Sequence, residues 1–454
     1  MAPVREAIPR RRADAVIPLS HGQEQIWLHA QLAPDAPLYT ESLTIRRRGP
    51  LDRELFVACL HDLVRRHEIW RTTFAWTGDR PEQRIHAEAR ARIRCEDLRG
   101  LPPPEREGAA LRLAAADLRE PFDLAREPGV RMLLATLDDE DHRLYLCLHH
   151  LVFDGISIYH VFLPELVALY ESRLAGAPQS GGVAEPPLQY ADFACWQRDT
   201  EDEVESARLV EYWRTQLAGA PALVALPTDR PRPAGQSFRA GLVRFGFAAP
   251  LTAEVRRVAH GEGCTPFMLL LGSFAAALQR WSGQTDLSIG TVSGGRDRPE
   301  LDRLIGYFLR TLALRIDLGG NPSFREVLRR VRETLIGALC HDALPFQRVV
   351  QAVAPPRALD RSPLFQVTFS IEPLLPPLGP GWDLTEMDAG ATASKFDLSI
   401  ELEDVGEVIR GRAIYSRDLF EAATIAGFVA RWTALLGQAV SDPGRRVLAL
   451  GEHG

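Results

Sequence analysis

Residues 149–155 read HHLVFDG. Two adjacent histidines, His149 and His150, are followed by Asp154 and Gly155. Imidazole handles protons near neutral pH, so a neutral histidine here could take a proton from an attacking amine or position that amine. Successive residues of a strand point to opposite faces. If the strand persists through residue 150, one ring joins the packed side and the other looks outward. Asp154, past the turn, is placed to hold the loop or to pair with an arginine. Gly155 gives the backbone room to turn into a following helix. Adjacent histidines at a strand end do not chelate, and no H-x-x-x-H spacing occurs in the chain, so no metal is expected. On residue chemistry alone, catalysis and a satisfied core histidine stand level.

The neighbouring pattern supplies the elements that must position these groups. Residues 143–150, RLYLCLHH, alternate as a strand does, with Leu144, Leu146 and Leu148 on one face and Tyr145 and Cys147 on the other. After Gly155, an apolar stripe of Ile158, Phe162, Leu166 and Leu169 predicts an amphipathic helix. Upstream, Phe56, Leu60, Leu63 and Val64 mark another helix within 51–66. In the second half, Thr265–Pro266 opens a core helix and 286–292 reads as a buried strand. Residues 308–318 alternate and a helix covers about 322–339. Strands follow near 364–371, 396–403 and 408–415, and a last helix runs from about 417 to 437. The loose stretch AGAPQSGGVAEPP (175–187) predicts a boundary between domains 1–180 and 181–454. Strands interleaved with helices in both halves give an α/β class with two lobes.

Bulk properties narrow the function. The chain has 454 residues, 46% of them apolar, and a net charge of −7, which excludes a general nucleic-acid binder. All of the 53 basic side chains but Lys395 are arginine, as codon bias in a GC-rich genome produces. The six cysteines form no C-x-x-C pair, which fits reduced, buried thiols in a cytoplasmic protein. The N-terminus has no apolar core of a secretory signal, and Phe267–Leu278 is too short to span a bilayer.

HHLVFDG is similar to the H-H-x-x-x-D-G signature of condensation domains of nonribosomal peptide synthetases. Further stretches resemble that family's other motifs in order: LSHGQEQIWL (19–28), RRHEIWRTTF (65–74), YADFACWQ (190–197) and IGYFLRTLALR (305–315). HDALPFQRVV (341–350), RALDRSPLFQVTFS (357–370) and SKFDLSIEL (394–402) continue the series. The resemblance spans about residues 18–440.

It implies two chloramphenicol-acetyltransferase-like lobes in a V-shaped pseudo-dimer with a central tunnel. It implies donor and acceptor carrier proteins as partners, each presenting a thioester on a phosphopantetheine arm, with no cofactor bound covalently to this chain. By the same resemblance His150 is the base or positioning group, the two roles being disputed in the family, and the Gly155 N–H faces the oxyanion. His149 supports the loop, and Asp154 pairs with an arginine of the other lobe, with Arg296 as candidate. Ser157 caps the helix or lines the channel. His67 and Arg71 tie a helix to a neighbouring strand. Arg310 stands where the family has asparagine; it either points to solvent or binds a carboxylate or phosphate from the tunnel.

The aspartates of the cyclizing subgroup and the D-F-G-W-G of plant-type acyltransferases are absent. LGGNPSF (318–324) is read as a loop with Ser323 near a helix start. The leading expectation is a monomeric, amide-forming acyltransferase with neither nucleic-acid nor membrane partners. A start at methionine without an upstream carrier favours a starter domain using acyl-coenzyme A, a free-standing enzyme or an excised domain. A second reading within the family is an ester-forming or epimerizing relative; epimerization needs an extra acid, and none suggests itself. A non-catalytic recruitment platform usually lacks the histidine motif, which is intact here.

Overall fold

A computed structural model describes residues 7–32, 37–78, 80–88, 91–176, 183–356, 358, 360–373, 377–386 and 393–451. The chain divides into two units. One comprises Met1–Glu201, Arg296–Leu309 and Leu375–Gly390; the other comprises Asp202–Gly295, Arg310–Leu374 and Ala391–Gly454.

The first unit opens with α1 (His21–Leu32), β1 (Thr40–Arg48) and α2 (Arg53–Arg66). Asp52 caps α2 by accepting from Leu55 N, and the predicted face of Phe56, Leu60, Leu63 and Val64 is buried. The hairpin β2 (Thr72–Thr77) and β3 (Arg80–Ile85) forms a separate two-stranded sheet. Then come β4 (Arg92–Asp97), α3 (Pro103–Arg119), β5 (Val130–Asp138) and β6 (Asp141–His149). After the histidine loop, α4 (Leu163–Leu174) and α5 (Tyr190–Asp199) complete the run. The main sheet is ordered β4, β5, β6, β1 and then the strand Trp382–Glu386 from far along the chain. β6 is therefore central. Tyr145 and Cys147 pack with Ala110, Ala114 and Leu118 of α3, while Leu144, Leu146 and Leu148 are buried as well. Burial of the Cys147 thiol pushes its pKa up to about 12.

The second unit carries α6 (Glu203–Gln216), β7 (Ala240–Phe247), α7 (Ala249–Gly261), α8 (Pro266–Ser282), β8 (Asp286–Ser293) and β9 (Arg310–Asp317). It continues with α9 (Phe324–Leu339), α10 (Phe346–Val353) and β10 (Val367–Ile371). β11 (Trp382–Glu386), the strand already placed on the first sheet, intervenes before β12 (Leu398–Asp404), β13 (Ile409–Ser416) and α11 (Ala422–Ser441). Its six-stranded sheet runs β7-β13-β12-β10-β8-β9. Thr265 caps α8 as expected, accepting from Met268 N, and Gly283 ends it with φ 77°. The Trp432 Nε1–H of α11 donates to Ser273 Oγ of α8 at 3.0 Å, inside the core. Ser323 is a helix cap, accepting from Glu326 N.

The mixed class of strands and helices agrees with the sequence reading. The division does not fall at residue 180. Tyr190 and Phe193 of α5 pack on Phe308, with ring centroids 5.0 and 4.8 Å apart, which keeps α5 and segment 296–309 together in the first unit. Two of the six cysteines, Cys95 and Cys340, are exposed rather than buried. Among the described residues no single helix is long and apolar enough to cross a membrane.

Candidate active site

β6 ends at His149, and residues 150–152 form one turn of 3₁₀-helix. The strand does not reach His150, yet the two rings still part. His149 is buried, and its Nδ1 accepts from Leu151 N at 3.2 Å. Its ring lies against Tyr39 and Phe122, at one wall of a cavity of about 370 Å³. The His150 backbone N–H donates to Tyr39 O at 2.9 Å. The His150 ring stacks on Phe153 with centroids 4.6 Å apart and planes 2° from parallel. Tyr307 meets it edge-on at 5.7 Å. Nδ1 lies 3.4 Å from the Phe153 carbonyl and Nε2 lies 2.7 Å from Glu41 Oε1. Burial holds the Tyr39 and Tyr307 phenols well above the ordinary tyrosine range, so both stay neutral.

Asp154 is fully buried and every contact satisfies its charge. Oδ1 accepts from Ser157 N at 2.7 Å, which makes Asp154 the N-cap of the helix begun by Gly155. The same oxygen accepts from Arg296 Nη2 at 3.0 Å, and Oδ2 accepts from Phe308 N at 3.1 Å. Arg296 also donates to the Leu304 carbonyl at 3.0 Å and lies over the Phe308 ring. The expected Asp154–Arg296 pair is therefore present. Arg296 belongs to the first unit, however, because segment 296–309 folds back onto it.

Ser157 neither caps the helix nor lines a channel. It is fully buried, and its Oγ meets Asp154 Oδ1, Gly306 O, Gly306 N and Arg296 Nη2. From Ser157 to Phe162 the chain forms a π-helical turn before α4. His67 Nε2 pairs with Glu165 of α4 at 2.8 Å, so it ties two helices rather than a helix and a strand. Arg71 Nη1 donates to the His86 carbonyl just beyond β3.

The surrounding motifs anchor the loop. Gln23 Nε2 of the first motif donates to Leu151 O at 2.9 Å, and Trp70 Nε1 of the second donates to Val152 O at 3.3 Å. These side chains satisfy carbonyls that the turn leaves without strand partners. Tyr190 of YADFACWQ donates to Tyr307 O at 2.6 Å. Gly306 allows this approach, since a Cβ there would lie 1.8 Å from the Tyr190 ring.

Arg310, at the head of β9 in the second unit, bonds Asp342 Oδ1 at 2.8 Å, and Ser293 Oγ donates to Asp342 Oδ2 at 2.7 Å. Its charge is already met by a protein carboxylate, which removes the main reason to read it as an anion receptor. Glu41 and Tyr307 were not singled out from the sequence. Glu41 is 109 residues from His150, and only the β1–β6 register, with Thr40 opposite His149, brings it there. No cluster of His, Cys, Asp and Glu among the described residues could hold a metal ion.

Residues 13–450 match the condensation-domain family. The chain belongs to that family. Condensation domains of nonribosomal peptide synthetases are acyl and peptidyl transferases that form amide bonds. This condensation domain is 40% identical, over 98% of its length, to the phosphinothricin tripeptide synthetase PhsC of Streptomyces viridochromogenes, of which it spans 41%. It is 30% identical to the X-domain from teicoplanin biosynthesis, with a TM-score of 0.84 and 98% and 99% of the two chains covered. That X-domain also has a structure in complex with OxyB, matched at 31% identity, a TM-score of 0.83 and 98% coverage of both chains. The fold is further shared with the first condensation domain of the calcium-dependent antibiotic synthetase, at 22% identity, a TM-score of 0.81 and 96% and 98% coverage.

Proposed function

We propose that this condensation domain joins an acyl or peptidyl thioester to the amine of an aminoacyl thioester held on a carrier protein. The amine nitrogen attacks the thioester carbonyl, the new C–N bond forms, the C–S bond breaks, and the amine's surplus proton ends on the leaving thiol. His150 is the group that takes or positions that proton. The observation that carries this role is its setting: a turn pinned at the His150 N–H and at the Leu151 and Val152 carbonyls, with the ring stacked on Phe153 and its Nε2 edge turned toward a half-exposed side chain. Gly155 is the first helical residue, so its N–H is among those a helix leaves unpaired, and it suits a developing oxyanion. His149, Asp154 and Arg296 hold the loop.

Donor and acceptor carriers with phosphopantetheine arms are the partners, and acyl-coenzyme A is the alternative donor of a starter domain. The test is mass spectrometry of an aminoacyl-loaded carrier incubated with wild type and His150→Ala, using the same acyl group on coenzyme A and on a carrier. A mass gain with wild type alone supports the reading, and the preferred donor assigns starter or elongation. No gain with either donor, across several acyl groups, removes it.

One observation favours a second reading. The likeness to the X-domain that binds OxyB suggests a platform that recruits another protein. The intact histidine pair weighs against it, and the same assay separates the two.

A further inference from the structure

Glu41 lies on β1, opposite Leu148 of β6 and one residue before the end of that ladder. Its carboxylate Oε1 is 2.7 Å from His150 Nε2. The other sides of the imidazole are occupied: Phe153 covers one face, Tyr307 meets the ring edge-on, and the Phe153 carbonyl lies 3.4 Å from Nδ1. The His150 side chain is 14% exposed and that of Glu41 is 57% exposed, so the carboxylate stands on the open edge of the ring. Glu41 on β1 and Tyr307 on the returning segment are titratable groups that meet the ring itself; Tyr39 meets the His150 backbone, and Asp154, past the turn, has its charge met by Arg296.

An ionised carboxylate only accepts hydrogen bonds. A 2.7 Å contact with an imidazole nitrogen therefore requires a proton on that nitrogen, whereas the 3.4 Å approach of the Phe153 carbonyl to Nδ1 is too long to demand one there. We propose that Glu41 is a positioning residue for His150: it holds the Nε2–H, and so fixes both the rotation of the ring and the tautomer in which it waits for substrate. The inference rests on the reading of His150 as the working group. It bears on the two roles considered for that histidine, because with Glu41 in place the resting ring presents an N–H along its open edge rather than a lone pair. The amine reaches Nε2 only by taking the place of the carboxylate, which its exposure allows.

The position is not required for packing. Glu41 is exposed and its backbone stays in the β1–β6 ladder whatever its side chain, so variants should keep the fold. The experiment compares wild type, Glu41→Ala and Glu41→Asp by ¹⁵N NMR of the histidine rings, with His150→Ala to assign the signals, and by steady-state kinetics of amide formation. In wild type the His150 Nε2 signal should be that of a protonated nitrogen, and in Glu41→Ala it should move toward the average of two tautomers. The kcat of Glu41→Ala should fall about tenfold to a hundredfold through loss of ring orientation. Its KM for the aminoacyl acceptor should not rise, its melting temperature should be unchanged, and Glu41→Asp should recover part of the rate. An Nε2 signal identical in wild type and Glu41→Ala, or an unchanged kcat, overturns the proposal. If wild type itself forms no product, the functional reading fails, and the nitrogen signals still decide whether Glu41 clamps the ring.

Discussion

Two arginine–aspartate pairs stand at motif-rich corners of the two units, and they do different work. In the first unit Asp154 and Arg296 have side chains 0% and 4% exposed, and the carboxylate is also bonded by Ser157 and a backbone N–H. In the second, Arg310 and Asp342 remain 20% and 18% exposed, with Ser293 as the added partner. The buried pair is the hub of a loop: it caps the helix after the histidines and fastens the segment 304–308 beside them. The partly buried pair holds a strand end. Charge pairing alone therefore does not distinguish the two; what sets the buried pair apart is the convergence of several chain segments on one desolvated group.

The comparison can be broken most forcefully at Asp154. Asp154→Ala leaves Arg296 buried without its counter-charge and removes a cap, and should cost about 3–5 kcal/mol of stability. Denaturant unfolding within about 1 kcal/mol of wild type would show that the hub is not structural. Gly306→Ala comes next, at about 1–3 kcal/mol, because its Cβ would strike the Tyr190 ring. Tyr190→Leu in the same chain should recover part of that loss, and no recovery would place the strain elsewhere. The smallest effect belongs to the second unit. Arg310→Asn, whose pair with Asp342 is less buried, should cost less stability than Asp154→Ala and leave substrate preference as it was. A shifted preference in competition between acyl donors would return Arg310 to the set of substrate contacts.

Much of this site is legible in the sequence because its signals are local. The alternation of Leu144, Leu146 and Leu148 marks the strand, the spacing of Ile158, Phe162, Leu166 and Leu169 marks the helix, and Asp154–Gly155 marks the turn between them. The Asp154–Arg296 pair was within reach through the resemblance of the surrounding motifs. What stayed hidden depends on contacts between distant segments. The strand stops one residue short of His150 because Gln23 and Trp70 draw the following carbonyls away from the ladder. Ser157 is polar and lies at a helix start, so its burial could not be read without Gly306 and Arg296 beside it. Glu41 reaches His150 only through strand register. The break after Glu201 was masked because a Gly- and Pro-rich stretch before it reads as the more natural boundary, while α5 is held by aromatic packing on Phe308.

The division of labour between the two adjacent histidines is the central claim, and single-turnover amide formation with His149→Ala and His150→Ala tests it most directly. Both variants should be followed alongside their unfolding curves. His150→Ala should keep wild-type stability and lose about a hundredfold or more of the rate, whereas His149→Ala should lose stability first and retain most of its rate in the folded fraction. Full-rate turnover in His150→Ala, or a folded His149→Ala that is equally inactive, would contradict the account.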